Sequence, residues 1–253
     1  MTLRQVFYQL VSRQALENVK GRYDALGNAL RDARKDGTIP WAWMEDRTRR
    51  PRGVPMWGDL PDYAGAVRQS YRRDVWTSQA RLVEVWIEKD SLSGIFTECL
   101  EPYGVTLNVG RGYDGWDSIH NAAERFKRWP GPATLLYFGD LDPSGMNIAD
   151  SLGDRLGQLD AAPEIVICAI TLADIDTYRL PTAFAKKTDT RHDGFVKKYG
   201  DVAVELDALP IDVLQGRIVR EVERRIDMDA LATVRTQETA DRRQITRLLR
   251  SVA

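Results

Sequence analysis

The sequence predicts an α/β protein with a mainly parallel sheet, preceded by a smaller basic unit. After residue 80, short apolar segments alternate with amphipathic segments of helix length, as in sheets covered by helices on both faces. Residues 1–80 contain 14 Lys and Arg against 9 Asp and Glu, whereas residues 81–253 contain 22 against 28. A basic unit can bind the phosphates of a nucleic acid, and an acidic unit can hold a divalent metal. Together they are expected in a protein with metal-dependent activity on nucleic acid.

Composition excludes several classes of protein. The apolar runs are far shorter than the roughly 20 residues of a membrane span, so a transmembrane protein is excluded. Two cysteines and two histidines are too few for a disulfide scaffold or a zinc site built from these residues. The first residues lack the small-residue cleavage site of a signal peptide, so we expect a cytoplasmic protein.

Residues 1–80 have the order of a winged-helix DNA-binding domain. Thr2 can cap a first helix with apolar residues at helical spacing, and a second helix is predicted from Tyr23 to Lys35. Thr38 to Trp43 is predicted to be a strand, and residues 46–52 a cationic turn, which completes a helix, helix, wing order. A further helix from Tyr63 to about Ser78 leads to the second unit.

The predicted DNA-binding side chains are the cations of this basic unit, which would neutralise phosphates. They lie on the second helix and in the wing: Arg31, Arg34, Lys35, Arg47, Arg49, Arg50 and Arg52.

Residues 81–253 form the predicted α/β unit. Its strands are expected at 82–88, 105–109, 133–140 and 165–170. Its helices are expected at Ser91 to Leu100, Trp116 to Arg128, Ser144 to Leu159, Ile211 to Ile226 and Met228 to Leu249.

Acidic residues follow two of the predicted strands. Glu88 ends the first strand, and Asp140 and Asp142 end the third. Ligands of parallel α/β sheets bind at the carboxyl ends of strands, and Mg²⁺ prefers carboxylate oxygens, so these three residues predict a magnesium site. The alternative is that Asp140 and Asp142 cap the helix that begins near Ser144.

The arrangement resembles a known family. Glu at the end of a first strand and Asp-x-Asp-Pro-x-Gly at a later one resemble the Toprim domain of type IA and type II topoisomerases, primases and related nucleases, over residues 81–170. The segment from Arg4 to Tyr8 resembles the region around the nucleophile of the topoisomerase VI A subunit and of its relative, the meiotic double-strand-break transesterase. The segments DRTRRPR, LPTAFAKKTDTR and VELDALP resemble stand-alone phage and plasmid proteins of this architecture.

The resemblance implies a winged-helix domain over residues 1–80 and a Toprim domain with C-terminal helices over residues 81–253. It implies that Tyr8 is the nucleophile that attacks double-stranded DNA, and that Arg4 holds the DNA phosphate or favours the phenolate. It also implies that Glu88, Asp140 and Asp142 bind catalytic Mg²⁺. It further implies a homodimer in which tyrosine and metal site come from different protomers, acting in a bacterial nucleoid or on phage DNA. The ATPase B subunit of that family would be a separate partner.

Two other functions remain open at this stage. One is a DNA-binding or bridging protein without catalysis, and the other is a Toprim nuclease that uses metal-activated water and leaves Tyr8 idle. A structural tyrosine beside a helix core is the plain alternative for Tyr8 itself.

Several further motifs have two interpretations each. Gly110 to Gly115 matches G-x-G-x-x-G, interpreted as a glycine-rich turn beside the metal, with dinucleotide binding as the alternative. Glu205 and Asp207 predict either a second acidic contact near the metal or a strand followed by a helix cap. The tryptophans are interpreted as packing residues rather than base-stacking platforms, and His120 as a helix surface residue. The cations of 180–200 are either a phosphate-contacting loop or a solvated face: Lys186, Lys187, Arg191, Lys197 and Lys198.

Overall fold

The sheet has four strands, all parallel, which confirms the predicted α/β class. The computed structural model describes residues 1–44, 53–110, 115–168 and 170–250. The strands are β1 (Leu82–Ile87), β2 (Thr106–Val109), β3 (Ala133–Phe138) and β4 (Glu164–Ile167).

Helices surround this sheet and extend beyond it at both ends of the chain. Short 3₁₀ turns separate several of them, and α7 and α8 were not predicted. The α-helices in the described ranges are α1 (Leu3–Ser12), α2 (Lys20–Lys35), α3 (Leu60–Ser70), α4 (Ser93–Leu100), α5 (Trp116–Arg128), α6 (Pro143–Gly157), α7 (Leu172–Tyr178), α8 (His192–Tyr199), α9 (Ile211–Glu223) and α10 (Met228–Arg250). Within those ranges, no helix combines the length and apolarity that crossing a membrane requires.

The strand order places a crevice at the centre of the sheet. The order is β2-β1-β3-β4, so β1 and β3 are neighbours. The chain leaves β1 toward β2 on one side and leaves β3 toward β4 on the other. In open α/β sheets such a switch point opens a crevice at the carboxyl ends of the two strands. Glu88 and Asp140 follow these two strands.

The two faces of the sheet bury different residues of the same strand. Val83, Val85 and Ile87 of β1 join one hydrophobic cluster, which includes side chains from α1, α4 and α9. Trp86 joins the opposite cluster, with side chains from α5 and α6. Alternation along a strand sends successive side chains to opposite faces, and burial of both faces explains why the strand is almost wholly apolar.

Glu84 is the polar exception within β1, and it is almost fully buried. Its carboxylate pairs with the Arg125 guanidinium at 2.6 Å and accepts a hydrogen bond from Asn108 at 2.9 Å. Arg125 belongs to α5 and Asn108 to β2. Arg125 therefore neutralises the buried charge and Asn108 satisfies a further hydrogen bond, as a buried carboxylate requires.

Helix α1 is closely associated with the α/β core. The Thr2 and Gln5 side chains form the reciprocal capping box at its start, which confirms the predicted cap. Its buried residues Phe7, Tyr8 and Val11 lie in the same hydrophobic cluster as the β1 valines. The domain boundary near residue 80 stays a prediction.

Two predicted elements of the N-terminal unit are wrong. The segment predicted as a strand from Thr38 to Trp43 instead contains a 3₁₀ turn at Trp41–Trp43, in which the Trp43 N–H donates to the Pro40 carbonyl at 3.1 Å. Pro40 has no N–H for a sheet ladder and its ring fixes φ, which favours this turn. The helix predicted to reach Ser78 ends at Ser70, because Tyr71 turns extended and its carbonyl accepts from Arg242 of α10 at 2.8 Å.

Candidate active site at the carboxyl end of the sheet

A cleft of about 410 Å³ lies at the sheet crevice. Glu88 after β1 and Asp140 and Asp142 after β3 line it, so the structure brings the three predicted acidic residues to one place. Tyr8 of α1 and Glu205 also line the cleft. The resemblance implied a tyrosine supplied by a second protomer, whereas here tyrosine and acids of one chain face the same cavity.

Glu88 is a half-buried carboxylate that faces the cleft. Its Oε2 is 3.4 Å from the backbone nitrogen of Asp140, which donates to it. Burial raises the pKa of Glu88, and the nearby Asp142 charge raises it further, against the opposing effect of the Asp140 N–H. Glu88 and Asp142 form no ion pair with a described residue, and a bound cation would relieve the repulsion between two acids in one cleft.

Asp142 caps helix α6, which is the alternative role considered for it. Its Oδ1 accepts a hydrogen bond of 2.6 Å from the Gly145 N–H, and Pro143 occupies the first helical turn. The cap fixes the orientation of the carboxylate at the mouth of the cleft. Its second oxygen takes no part in that hydrogen bond.

The glycine of the Asp-Pro-Ser-Gly segment is required by close packing. A Cβ on Gly145 would lie 2.5 Å from the Asp140 carbonyl oxygen, which belongs to the backbone and cannot swing aside. We expect Gly145→Ala to lower the free energy of unfolding by about 1–3 kcal/mol, since α6 must move away from the strand end. Gly157, at the other end of α6, has no atom within 4 Å of such a Cβ.

The matched control for that prediction is Gly157→Ala, which should leave stability unchanged or raise it by up to about 1 kcal/mol. Urea unfolding followed by circular dichroism measures both variants. Equal stabilities of the two would contradict the close approach at Gly145.

Asp140 is engaged by protein groups on both oxygens. Its Oδ2 pairs with the Lys89 ammonium at 2.8 Å, and its Oδ1 accepts from the Leu206 N–H at 2.7 Å. Burial raises the pKa of Asp140 to about 7, against the opposing effect of Lys89. In the described ranges, Asp140 forms an ion pair with a cation, whereas Glu88 and Asp142 form none.

Lys89 and Arg4 are shared by three carboxylates. The Lys89 ammonium lies 2.8 Å from Glu205 and 3.3 Å from Asp207 as well as beside Asp140. The Arg4 guanidinium pairs with Asp207 at 2.9 Å and with Glu205. We call these five residues the charged cluster. It ties α1 to the end of β1 and to the segment after residue 204, because each carboxylate needs a cation in this buried place.

Tyr8 lies against this charged cluster and is itself buried. The Arg4 guanidinium stands 5.2 Å from the centre of its ring. Burial, followed by the interaction with the Glu205 carboxylate, raises the pKa of Tyr8 well above its ordinary value. Arg4 and Lys89 act in the opposite direction but do not outweigh these effects. The phenol is therefore protonated at neutral pH.

A divalent metal fits part of the predicted ligand set. In the described ranges, no group of three or more Asp, Glu, His and Cys side chains is arranged to hold a metal. Glu88 and Asp142 form no ion pair with a described residue, whereas Asp140 is paired. Mg²⁺ commonly uses one or two carboxylates and completes its six ligands with water and substrate phosphates. Glu88 and Asp142 suit that mode, and the three-ligand site stays a prediction.

The predicted DNA-binding cations of α2 do not line the cleft. Arg31 pairs with Asp32 on its own helix, and Arg34 stacks on the Trp41 ring at 4.2 Å. Lys35 is the last residue of α2. Arg47, Arg49, Arg50 and Arg52 lie outside the described residues, as do residues 111–114 of the glycine-rich motif.

The cations of the 180–200 segment divide between the two interpretations. Lys186 is exposed and lines the cleft, as a phosphate contact would. Arg191 is bound to Asp189 at 2.7 Å and to Asn147 at 2.7 Å, and Lys198 stands over the Tyr199 ring. Lys187 and Lys197 are exposed.

The tryptophans differ in burial, so the interpretation of all of them as packing residues is wrong for the exposed ones. Trp86 is buried as expected, but four others are 45–66% exposed. The exposed ones are Trp41, Trp43, Trp57 and Trp116. His120 is exposed on α5, as predicted.

The main functional residue that sequence reasoning missed is Lys89. The available signal was its position directly after Glu88, at the carboxyl end of a strand. Glu205 and Asp207 were considered as metal contacts or caps, and the structure pairs them with Lys89 and Arg4 instead. Comparison with known proteins adds no family, since neither a protein-family model nor a curated protein matches the chain.

Proposed function

We propose that this protein is a magnesium-dependent DNA transesterase that breaks a DNA strand by attack of Tyr8 on a phosphodiester. The observation that carries this proposal is the cleft in which Tyr8 lies together with the acidic pair Glu88 and Asp142. A phenol can form a covalent phosphotyrosyl link, and two carboxylates at a sheet crevice are suited to hold Mg²⁺ beside the phosphate.

The roles of the residues follow from their positions. Glu88 and Asp142 would hold Mg²⁺, which stabilises charge on the phosphate and the leaving oxygen when bound. Lys186, exposed at the cleft, would contact the DNA backbone, and cations of the N-terminal unit would add to duplex binding. The winged-helix and Toprim assignments and the topoisomerase VI A resemblance belong to this proposal, as do a homodimer and a separate ATPase subunit.

The test is incubation of the protein with supercoiled plasmid and Mg²⁺, followed by denaturation with and without protease. Transesterification leaves protein attached to the broken strand, so the migration of the product should change on protease treatment. Omission of Mg²⁺ should abolish the product. Products that are broken but insensitive to protease would reject the tyrosyl link.

A second candidate is a nuclease that activates water and does not use Tyr8. The raised pKa of Tyr8 favours this candidate, because a protonated phenol is a weak nucleophile. Under it, the strand is cut without a covalent product.

A further inference from the structure

Tyr8 is protonated at neutral pH, so its hydroxyl needs a proton acceptor before it can react. Attack on phosphorus requires the hydroxyl to lose its proton before or during bond formation. Burial and Glu205 both oppose formation of a free phenolate. A base within hydrogen-bond reach of the hydroxyl can instead accept the proton as the bond forms, which is general base catalysis.

We propose that Glu205 is the general base that takes this proton from Tyr8. The inference rests on the proposed function. Glu205 lines the same cleft as Tyr8, and Arg4 and Lys89 both donate to the same oxygen, Oε2, of its carboxylate. Tyr8 and Glu205 are also joined through Arg4, which pairs with the carboxylate and stacks on the ring.

The positive charges around Glu205 keep its carboxylate ionised, which is the form that can accept a proton. Among the described residues, the titratable and charged groups around it are Arg4 and Tyr8 from α1, Lys89 from the end of β1, and Asp140 and Asp207, which share these cations. Burial by itself raises the pKa of Glu205, but the Lys89 and Arg4 charges outweigh it, so the pKa lies below its ordinary value. The carboxylate is therefore ionised over the whole neutral range.

The reaction needs no reactant other than the protein, the DNA and water. The Tyr8 oxygen forms a bond to phosphorus while its proton passes to Glu205. The bond from phosphorus to the leaving sugar oxygen breaks, and that oxygen keeps the electron pair and takes a proton from water. Glu205 then returns its proton to solvent, so one phosphodiester is exchanged for another.

Glu205→Gln tests the base and leaves the shape of the side chain unchanged. We expect the rate of covalent adduct formation with plasmid at pH 7 to fall by about 10²–10³-fold, the usual contribution of a general base. In the wild-type protein, the rate should be nearly independent of pH above about 8, because the base and Asp140, whose pKa is about 7, are then both ionised. In the variant, the rate should rise about tenfold for each pH unit, because attack then needs hydroxide to remove the proton.

Asp207→Asn is the matched control for the charged cluster. Asp207 pairs with the same two cations, Arg4 and Lys89, but is not a partner of Tyr8. It should keep the flat pH profile whatever its rate. A flat profile for Glu205→Gln, with a rate matching Asp207→Asn, would overturn the inference while leaving the proposed function intact.

Glu205→Asp covers the case in which the glutamine variant does not fold. It preserves the negative charge between Arg4 and Lys89 but withdraws it from Tyr8 by one methylene group. We expect at least a tenfold loss of rate and a sloping pH profile, whereas wild-type rate with a flat profile would overturn the inference. Absence of any adduct with the wild-type protein would instead reject the proposed function.

Discussion

Replacing Tyr8 by Phe is expected to abolish the covalent protein–DNA product. The change removes the one oxygen that can attack phosphorus, so the rate should fall by on the order of 10⁴-fold or more. The ring contacts remain available to Phe, since Phe7 packs edge-on at 5.4 Å and Arg4 stacks at 5.2 Å. Loss of the hydroxyl should change the free energy of unfolding by only about 1 kcal/mol. The measurement is the protease-sensitive plasmid product described above.

Tyr23→Phe is the matched control for this prediction. Tyr23 lies on α2 and packs edge-on against the same Phe7 ring at 5.2 Å, but it does not line the cleft. Its variant should form adduct at the wild-type rate. If Tyr8→Phe still cuts the plasmid without attached protein, the water-activating nuclease is the correct function. If both wild type and variant are inactive while DNA is bound, the non-catalytic binding protein is favoured.

Replacing Lys89 by Met should strongly destabilise the fold. The Met side chain fills the space of the lysine stem but removes the ammonium that stands beside Asp140, Glu205 and Asp207. Asp140 then loses its cation and must take up a proton, because burial already raises its pKa to about 7 beside Lys89. Breaking a buried ion pair from one side costs about 3–5 kcal/mol, which lowers the melting temperature of a chain of this size by roughly 10 °C.

Lys186→Met provides the control for that effect, because Lys186 is exposed at the cleft and forms no ion pair with a described residue. Its melting temperature should stay close to that of the wild type. The double variant Lys89→Met, Asp140→Asn should recover part of the lost stability, since the Asn amide needs neither a cation nor a bound proton. A melting temperature of Lys89→Met close to the wild-type value would contradict the role of Lys89 as the resident cation.

The α/β class and the position of the acids could be predicted from the sequence because both depend on local patterns. Short apolar strands alternating with amphipathic helices require a parallel sheet, and parallel strands present their carboxyl ends at one edge. Glu88 and Asp140 follow two such strands, so they had to meet if those strands were neighbours. The strand order, with β1 beside β3, supplied that condition.

The N-terminal unit was harder to predict, because its elements depend on distant contacts. The helix predicted through Ser78 stops at Ser70, and the Tyr71 carbonyl accepts a hydrogen bond from Arg242. The residues near Tyr71 contain no pattern that predicts a partner 171 residues away. The 3₁₀ turn at Trp41–Trp43, by contrast, follows Pro40, a local signal against a strand because proline cannot donate to a sheet ladder.

The sequence by itself determined the parallel sheet, the acidic strand ends and the capped first helix, since each follows from periodicity or from residues a few positions apart. Only the tertiary structure decided the state of Tyr8. Its environment is built from Glu205, about 200 residues away, and from Arg4 and Lys89, which both pair with that carboxylate. Burial and charge pairing depend on distances in space. Residues that control a pKa or neutralise an acid therefore have no characteristic spacing in the sequence.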